Sequence, residues 1–228
     1  MVVAAECTDQ DRLLATAGAK PHSCLMSGNQ AAKVKPPKLG MMTELARNDF
    51  LDIQIKKGLM EPSCKEDESI LSLHASRNPE DRLYFWQLYD LMGRDPVFSF
   101  VTNFYERVFD DSEAPWFRDI FTALASKKYH IFMQTTMYLD CFGSGPLYSG
   151  GEQRMNVHHE MTRAKEIMTK AGAERWMHHM RLALKDETPR LNEIDPRIRG
   201  TINEFLTYFM SKYAGTFKFE DADINFGS

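Results

Sequence analysis

From about residue 82 onward, apolar positions recur at helical spacing, and nowhere do they alternate as a half-buried strand would. RLYFWQLYDLMG (82–93) reads as a short apolar helix closed by Gly93, the residue that most easily takes a left-handed cap. Asp95-Pro96 supplies an N-cap and a first-turn proline. Val97, Val101, Phe104 and Val108 then follow one face, predicting a helix over roughly 96–109. After the loop DDSEAP, WFRDIF leads into a long pattern with Ile131, Phe132, Thr135, Leu139 and Phe142 inward, a helix of about 122–142 that stops at GSGP. The Gly- and Pro-rich loop 143–151 precedes a helix carrying His158 and His159. Thr169 can cap the next, on which Ala173, Trp176, Met177, Met180 and Leu184 share a stripe. Asp195-Pro196 opens the last helix, with Ile198, Ile202, Phe205, Phe209 and Tyr213 at near-perfect spacing. The pattern predicts an all-α domain over residues 81–218 and a short tail, 219–228.

Residues 1–80 have a different character. Segment 18–40, GAKPHSCLMSGNQAAKVKPPKLG, is rich in Gly, Pro, Ser and Lys without periodicity and reads as flexible. Segment 41–60 fits an amphipathic helix with Leu45, Phe50 and Ile53 on one face. The extension as a whole is expected to be largely disordered.

Composition narrows the class. A chain of 228 residues suits one domain plus an extension, and 43% hydrophobic with 26% charged residues suits a globular core. The net charge of −4 provides no basic field for neutralising phosphates, so nucleic acid is not an expected partner. No stretch reaches the roughly 20 apolar residues of a membrane span. The cysteines, at 7, 24, 64 and 141, form no CxxC and no disulfide framework, as in a reducing compartment. The first residues lack a secretory apolar core, and Glu6, Asp9 and Asp11 are foreign to an acid-poor transit peptide. A cytoplasmic location is the expectation.

Seven histidines carry the candidate chemistry, at 22, 74, 130, 158, 159, 178 and 179. Glu-x-x-His, the ligand pair of di-iron bundles, does not occur, and neither does the nucleophile pattern Gly-x-Ser-x-Gly. A zinc site built from the pairs 158–159 and 178–179 is disfavoured, because adjacent helical residues point about 100° apart.

The context of the histidines resembles that of truncated haemoglobins, group II in particular. LYDLMGRDPVFSFVTNFYERVFDD (88–111) is similar to the opening of that family, which leads to Phe-Tyr-x-x-Val, here Phe104-Tyr105. GPLYS (145–149) resembles the Gly-Gly-Pro-x-x-Tyr-Ser that follows the family's distal helix. GEQRMNVHH (151–159) has the form Gly-x-x-Arg-hydrophobic-x-hydrophobic-x-His, with Met155 and Val157 as the hydrophobic positions and the proximal haem ligand last. AERWMHHM (173–180) is similar to the penultimate helix with its tryptophan. The likeness covers residues 83–215. MTRAKEIM (161–168) is longer than the family pattern.

The resemblance implies a two-over-two helical sandwich holding haem b, with iron on His159 or, given the longer segment after it, on His158. Tyr105 and Trp176 are then the candidate donors to a ligand that takes on negative charge, with Gln134 beside them; Phe117 and Phe121 press on the haem. His130 is open to two readings, a second iron ligand or a surface residue beside Lys127 and Lys128. Taken singly, each of these aromatics is an ordinary core residue; their joint occurrence is what points to haem. Partners would be O2, NO and an electron donor or reductase. Two donors would slow O2 release, which suits ligand chemistry, detoxification or sensing better than oxygen transport. A globin-like interaction or sensor module without haem is the alternative.

Overall fold

The computed structural model describes residues 35–220 except 161, and residues 222, 224 and 226 of the tail. Helix α1 (Met41–Lys56) and the short α2 (Glu68–Leu71) precede a 3₁₀ turn (Phe85–Gln87) that runs into α3 (Leu88–Met92). Then follow α4 (Asp95–Phe109), α5 (Pro115–Leu124), α6 (Lys127–Cys141), α7 (Gly151–Glu160), α8 (Thr162–Ile167), α9 (Lys170–Ile194) and α10 (Arg197–Phe217). Among the described residues there is no strand, only an isolated bridge between Lys38 and Ser144. Helix α4 packs against both α6 and α9, and α9 packs against α10, which is the all-α two-over-two arrangement.

The local signals explain most boundaries. Gly93 closes α3 at φ 64°, Pro96 lies in the first turn of α4, and the Thr169 hydroxyl accepts from the Gly172 amide at 3.2 Å. One predicted helix divides: α5 stops at Leu124, and Ser126 caps α6 by accepting from the Tyr129 amide. The inward stripe of α6 also differs from the expectation. Thr135, Leu139 and Phe142 are buried as expected, but Phe132 is 42% exposed, and the buried face also carries His130, Met137, Tyr138 and Cys141.

The largest difference lies before residue 81. Residues 1–34 are outside the described part, but 41–80 are folded rather than disordered. Phe50 sits edge-on to Phe85, Trp86 and Tyr208 with centroids 5.4, 6.0 and 5.8 Å away. Trp86 Nε1 donates to the Ile70 carbonyl at 2.7 Å, and Arg47 to that of Leu71 at 2.7 Å. Periodicity does predict α1 and its buried Phe50, but not its whole inward face, since α1 buries Met42, Thr43, Ala46, Phe50 and Leu51, whereas Leu45 faces solvent. At the other end, Lys218 adopts the left-handed conformation that ends α10. The tail returns onto the core and buries Phe219, Ala222 and Phe226.

Two buried carboxylates brace the fold. Asp140, in α6, accepts the amides of Met42 (3.1 Å) and Thr43 (3.4 Å) at the start of α1, and those of Leu147 and Tyr148 (both 3.1 Å) in the next loop. Thr43 donates its hydroxyl to the Asp140 carbonyl. The approach is so close that a Cβ on Gly40 would lie 2.0 Å from Asp140 Oδ1. Asp111, just past the end of α4, accepts from Arg175 Nε (2.7 Å) and Nη2 (2.5 Å), from His179 Nε2 (2.7 Å), and from the amides of Glu113 and Ala114.

Asp140→Ala removes the acceptor of four amides and should cost about 3 kcal/mol or more, since each orphaned donor costs about 1–3 kcal/mol. Urea unfolding would measure the loss, and limited proteolysis should begin within residues 35–60; an unchanged midpoint would refute this role. For Asp111, hydrogen bonding from Arg175 first, and then from His179, holds the carboxyl well below the usual range. A carboxyl depressed in the folded state contributes stability that is complete above its unfolded pKa of about 4 and is lost as pH falls toward the folded value. Asp111→Asn should therefore melt lower than the native chain at about pH 6 and converge with it in acid. Parallel melting curves would contradict the assignment.

Candidate functional site

Consecutive residues of α4, Phe104 and Tyr105, are both buried. The Tyr105 hydroxyl donates to Gln134 Oε1 at 2.6 Å, and Gln134 Nε2 donates to the Tyr138 hydroxyl at 2.7 Å. Burial raises the Tyr105 phenol well above its ordinary pKa, so it remains a proton donor. Its ring stacks on His130 (5.3 Å) and meets the edge of Phe121 (6.1 Å), which packs on Phe117 (5.0 Å). Phe104 touches Trp176 (5.3 Å). Tyr105, Gln134, Phe117, Phe121 and Trp176 thus share one aromatic cluster, built by α4, α5, α6 and α9.

His130 is not a surface residue. It is 7% exposed, and its Nε2 donates to the Phe121 carbonyl at 3.0 Å. That bond commits the ring nitrogen a second iron ligand would use, and burial keeps the imidazole below its ordinary pKa. Its inward position went unread because Ile131 and Phe132 looked like better core residues.

The other wall is α7. Arg154 fixes it by donating to Ser149 Oγ (2.9 Å) and to the Tyr129 hydroxyl (3.3 Å) while its guanidinium lies over the Tyr148 ring. Lys212 of α10 bridges Asp49 of α1 (3.2 Å) and Glu152 of α7, so three helices meet on one ammonium. Met155 is buried; Val157 is exposed. His159 turns toward α10, edge-on to Tyr213 (4.8 Å) and Phe217 (6.4 Å). Its Nδ1 is buried with no hydrogen-bond partner, as is the Tyr213 hydroxyl. Burial, with a smaller effect from His158, pushes the His159 pKa down to about 4. His158 is exposed, yet close enough to His130 to disfavour protonation there. Among the described residues, no hydrogen bond or ring contact joins His159 to the Tyr105 cluster, and no three His, Cys, Asp or Glu side chains converge as a metal-binding group. His179, half of the second histidine pair, is committed to Asp111.

A neutral imidazole with a buried, unpaired nitrogen among aromatic rings is the donor that an iron porphyrin takes, and the residues present fit that group. Two residues near the cluster were not anticipated. Phe226, in the tail, packs on Trp176 at 6.3 Å, and Tyr138 completes the Gln134 chain. Tyr138 lies one helical turn beyond Gln134, a spacing that could have revealed it.

Comparison with known proteins agrees with this geometry. The model of the bacterial-like globin family matches residues 87–210. Two-on-two hemoglobin-3 of Arabidopsis thaliana is 37% identical over 100 residues, which is 43% of this chain and 54% of the relative. Group 2 truncated hemoglobin 3-1 of Lotus japonicus is 38% identical over 98 residues, 42% of this chain and 55% of the relative. The chain thus spans about half the length of the curated relatives it matches. No solved structure matches it. With the family match and the two-over-two helical core, the chain belongs to the bacterial-like globin family.

Proposed function

We propose that this globin binds haem b through His159 and uses it to hold O2 or NO for ligand chemistry, detoxification or sensing rather than for oxygen transport. The observation that carries the proposal is the pair of unpaired buried polar atoms, His159 Nδ1 and the Tyr213 hydroxyl, on rings 4.8 Å apart in an otherwise aromatic wall. Leaving the imidazole nitrogen unsatisfied costs free energy that a bound metal would recover. Haem, when bound, supplies reversible binding of a diatomic ligand.

The chain's own residues would do the rest. His159 would present a neutral nitrogen to the metal from a helix held by Arg154 and Lys212. Phe104, Phe117, Phe121 and Trp176 would exclude water. Tyr105, protonated at any physiological pH, would offer its hydroxyl to a ligand that gains negative charge, in competition with Gln134. The Trp176 indole is the second donor. Residues 162–167 of MTRAKEIM, the segment longer than the family pattern, form α8, which packs on α5, while Trp176 still meets Phe104. This supports the haem-bound reading over a module without haem. The longer segment after His159 leaves His158 as the second assignment for the iron ligand. A cytoplasmic location and an electron-donating reductase partner complete the proposal; among the described residues, no helix is long and apolar enough to cross a membrane.

The chain expressed with haem should show an intense violet absorption band. His159→Ala should lose the five-coordinate imidazole spectrum while His158→Ala keeps it; the opposite result would transfer the role to His158, and a chain that takes up no haem would favour the module. Tyr105→Phe should speed O2 dissociation by about fivefold to tenfold, the worth of a hydrogen bond of about 1 kcal/mol or somewhat more, measured by stopped-flow displacement with CO.

A further inference from the structure

Tyr138 is fully buried, its ring packed by Phe100, Phe142 and Phe205 with centroids 6.4, 5.8 and 5.4 Å away. Its hydroxyl is the acceptor for Gln134 Nε2. That bond turns the other end of the amide, Oε1, toward Tyr105, and so draws the Tyr105 proton to Gln134. A glutamine amide has an acceptor at one end and donors at the other, whereas a phenolic hydroxyl can either give or accept. The chain Tyr105–Gln134–Tyr138 therefore has two complete polarities. In the one observed, protons point from Tyr105 to Gln134 and from Gln134 to Tyr138. In the reverse, Tyr138 donates to Oε1, Nε2 donates to the Tyr105 oxygen, and the Tyr105 proton is free to face a ligand.

We infer that Tyr138 is a positioning residue that sets the direction of the Gln134 amide, and through it decides whether the Tyr105 proton is held by the protein or offered to the ligand. The inference rests on the haem-globin reading and deepens it. In the observed polarity Tyr138 restrains Tyr105, because a ligand can take the proton only if the amide turns or the Tyr105–Gln134 bond breaks. A side chain without the hydroxyl changes the balance. With Phe at 138, the observed polarity would leave amide N–H groups facing hydrocarbon, and the reverse would leave only a carbonyl oxygen. Buried orphan N–H groups are rarer than under-satisfied carbonyls, so the reverse polarity becomes preferred. The Tyr105 proton is then released toward the ligand.

The consequence is opposite in sign to the loss of Tyr105. In the haem-loaded protein, Tyr138→Phe should slow O2 dissociation about threefold to tenfold. It should also move the C–O stretching band of the CO complex to lower wavenumber, as a hydroxyl proton facing the ligand does. The side-chain amide resonances of Gln134 in the ¹⁵N-labelled CO complex should shift as well. Tyr105→Phe speeds dissociation, and the double variant should match Tyr105→Phe alone, because Tyr138 acts only through the Tyr105 proton. Phe142→Leu, which disturbs the packing of the same ring but keeps its hydroxyl, should leave the band in place; a shift there equal to that of Tyr138→Phe would reduce the residue to packing and overturn the inference. If Tyr105→Phe accelerates dissociation but Tyr138→Phe accelerates it too or changes nothing, the inference fails while the haem reading stands. If Tyr105→Phe has no effect, the reading beneath it fails and the inference with it.

Discussion

The Asp140 carboxylate is the point on which the rest of this globin depends. Four amides from two segments about a hundred residues apart converge on it, two from the start of α1 and two from the loop that leads into α7. A buried carboxylate costs desolvation, and burial does raise this one above its ordinary pKa against the pull of the four amides. What offsets the cost is that the same amides would otherwise be orphans at a helix start and in a tight loop. Because α7 begins only a few residues after Tyr148, the carboxylate also sets where the His159 helix starts. Lys212 adds a second tie between α1 and α7 through Asp49 and Glu152. The segment before residue 81 is thus part of the scaffold that positions the candidate iron ligand.

Asp111 performs the matching service on the other side. It ends the helix that carries Tyr105 and grips Arg175 and His179, which flank Trp176 one turn apart on α9. The spacing between the two candidate donors is therefore set by one ion-paired carboxylate and by the Phe104 ring between them. A bidentate guanidinium bond fixes direction as well as distance, so α9 can neither slide nor roll without breaking it. His179 also stacks on Phe117, which carries the same constraint into the aromatic wall.

How much of this was legible in the sequence follows from which interactions are periodic. Helices α4, α9 and α10 were readable because their inward stripes are apolar at constant spacing and their starts are marked by Pro96, Thr169 and Pro196. Helix α6 was misread for the opposite reason. Its inward face carries His130 and Gln134, polar residues made acceptable by specific partners, while Phe132 is left to solvent. Within residues 41–80 periodicity registers α1 alone; the docking of the segment comes from Phe50, Trp86, Arg47 and Asp140 acting over long sequence separations, which periodicity does not register. The positions of Tyr105, Gln134, Phe121 and Trp176 were legible by resemblance, and they do lie together. The tail was not, since its few apolar residues have no period; only the left-handed turn at Lys218 sends Phe226 back to Trp176.

The same contrast explains why the site is polar where the core around it is not. An apolar residue at 134 or 138 would have made α6 easier to read. What it would remove is, among the described residues, the hydrogen-bonded route by which the Tyr105 hydroxyl is tied to α6. A hydrogen-bonded chain of this kind is costly to break at any one link, because each break leaves a group without a partner. That cost is what lets three side chains hold a proton in one direction, and the direction is reversible because either polarity makes the same two hydrogen bonds and leaves one phenol proton free. A truncated globin has few residues with which to shape its pocket. In this one the control over the ligand-side proton is carried along a single helix face, from Gln134 to Tyr138, behind the ring that would meet the ligand.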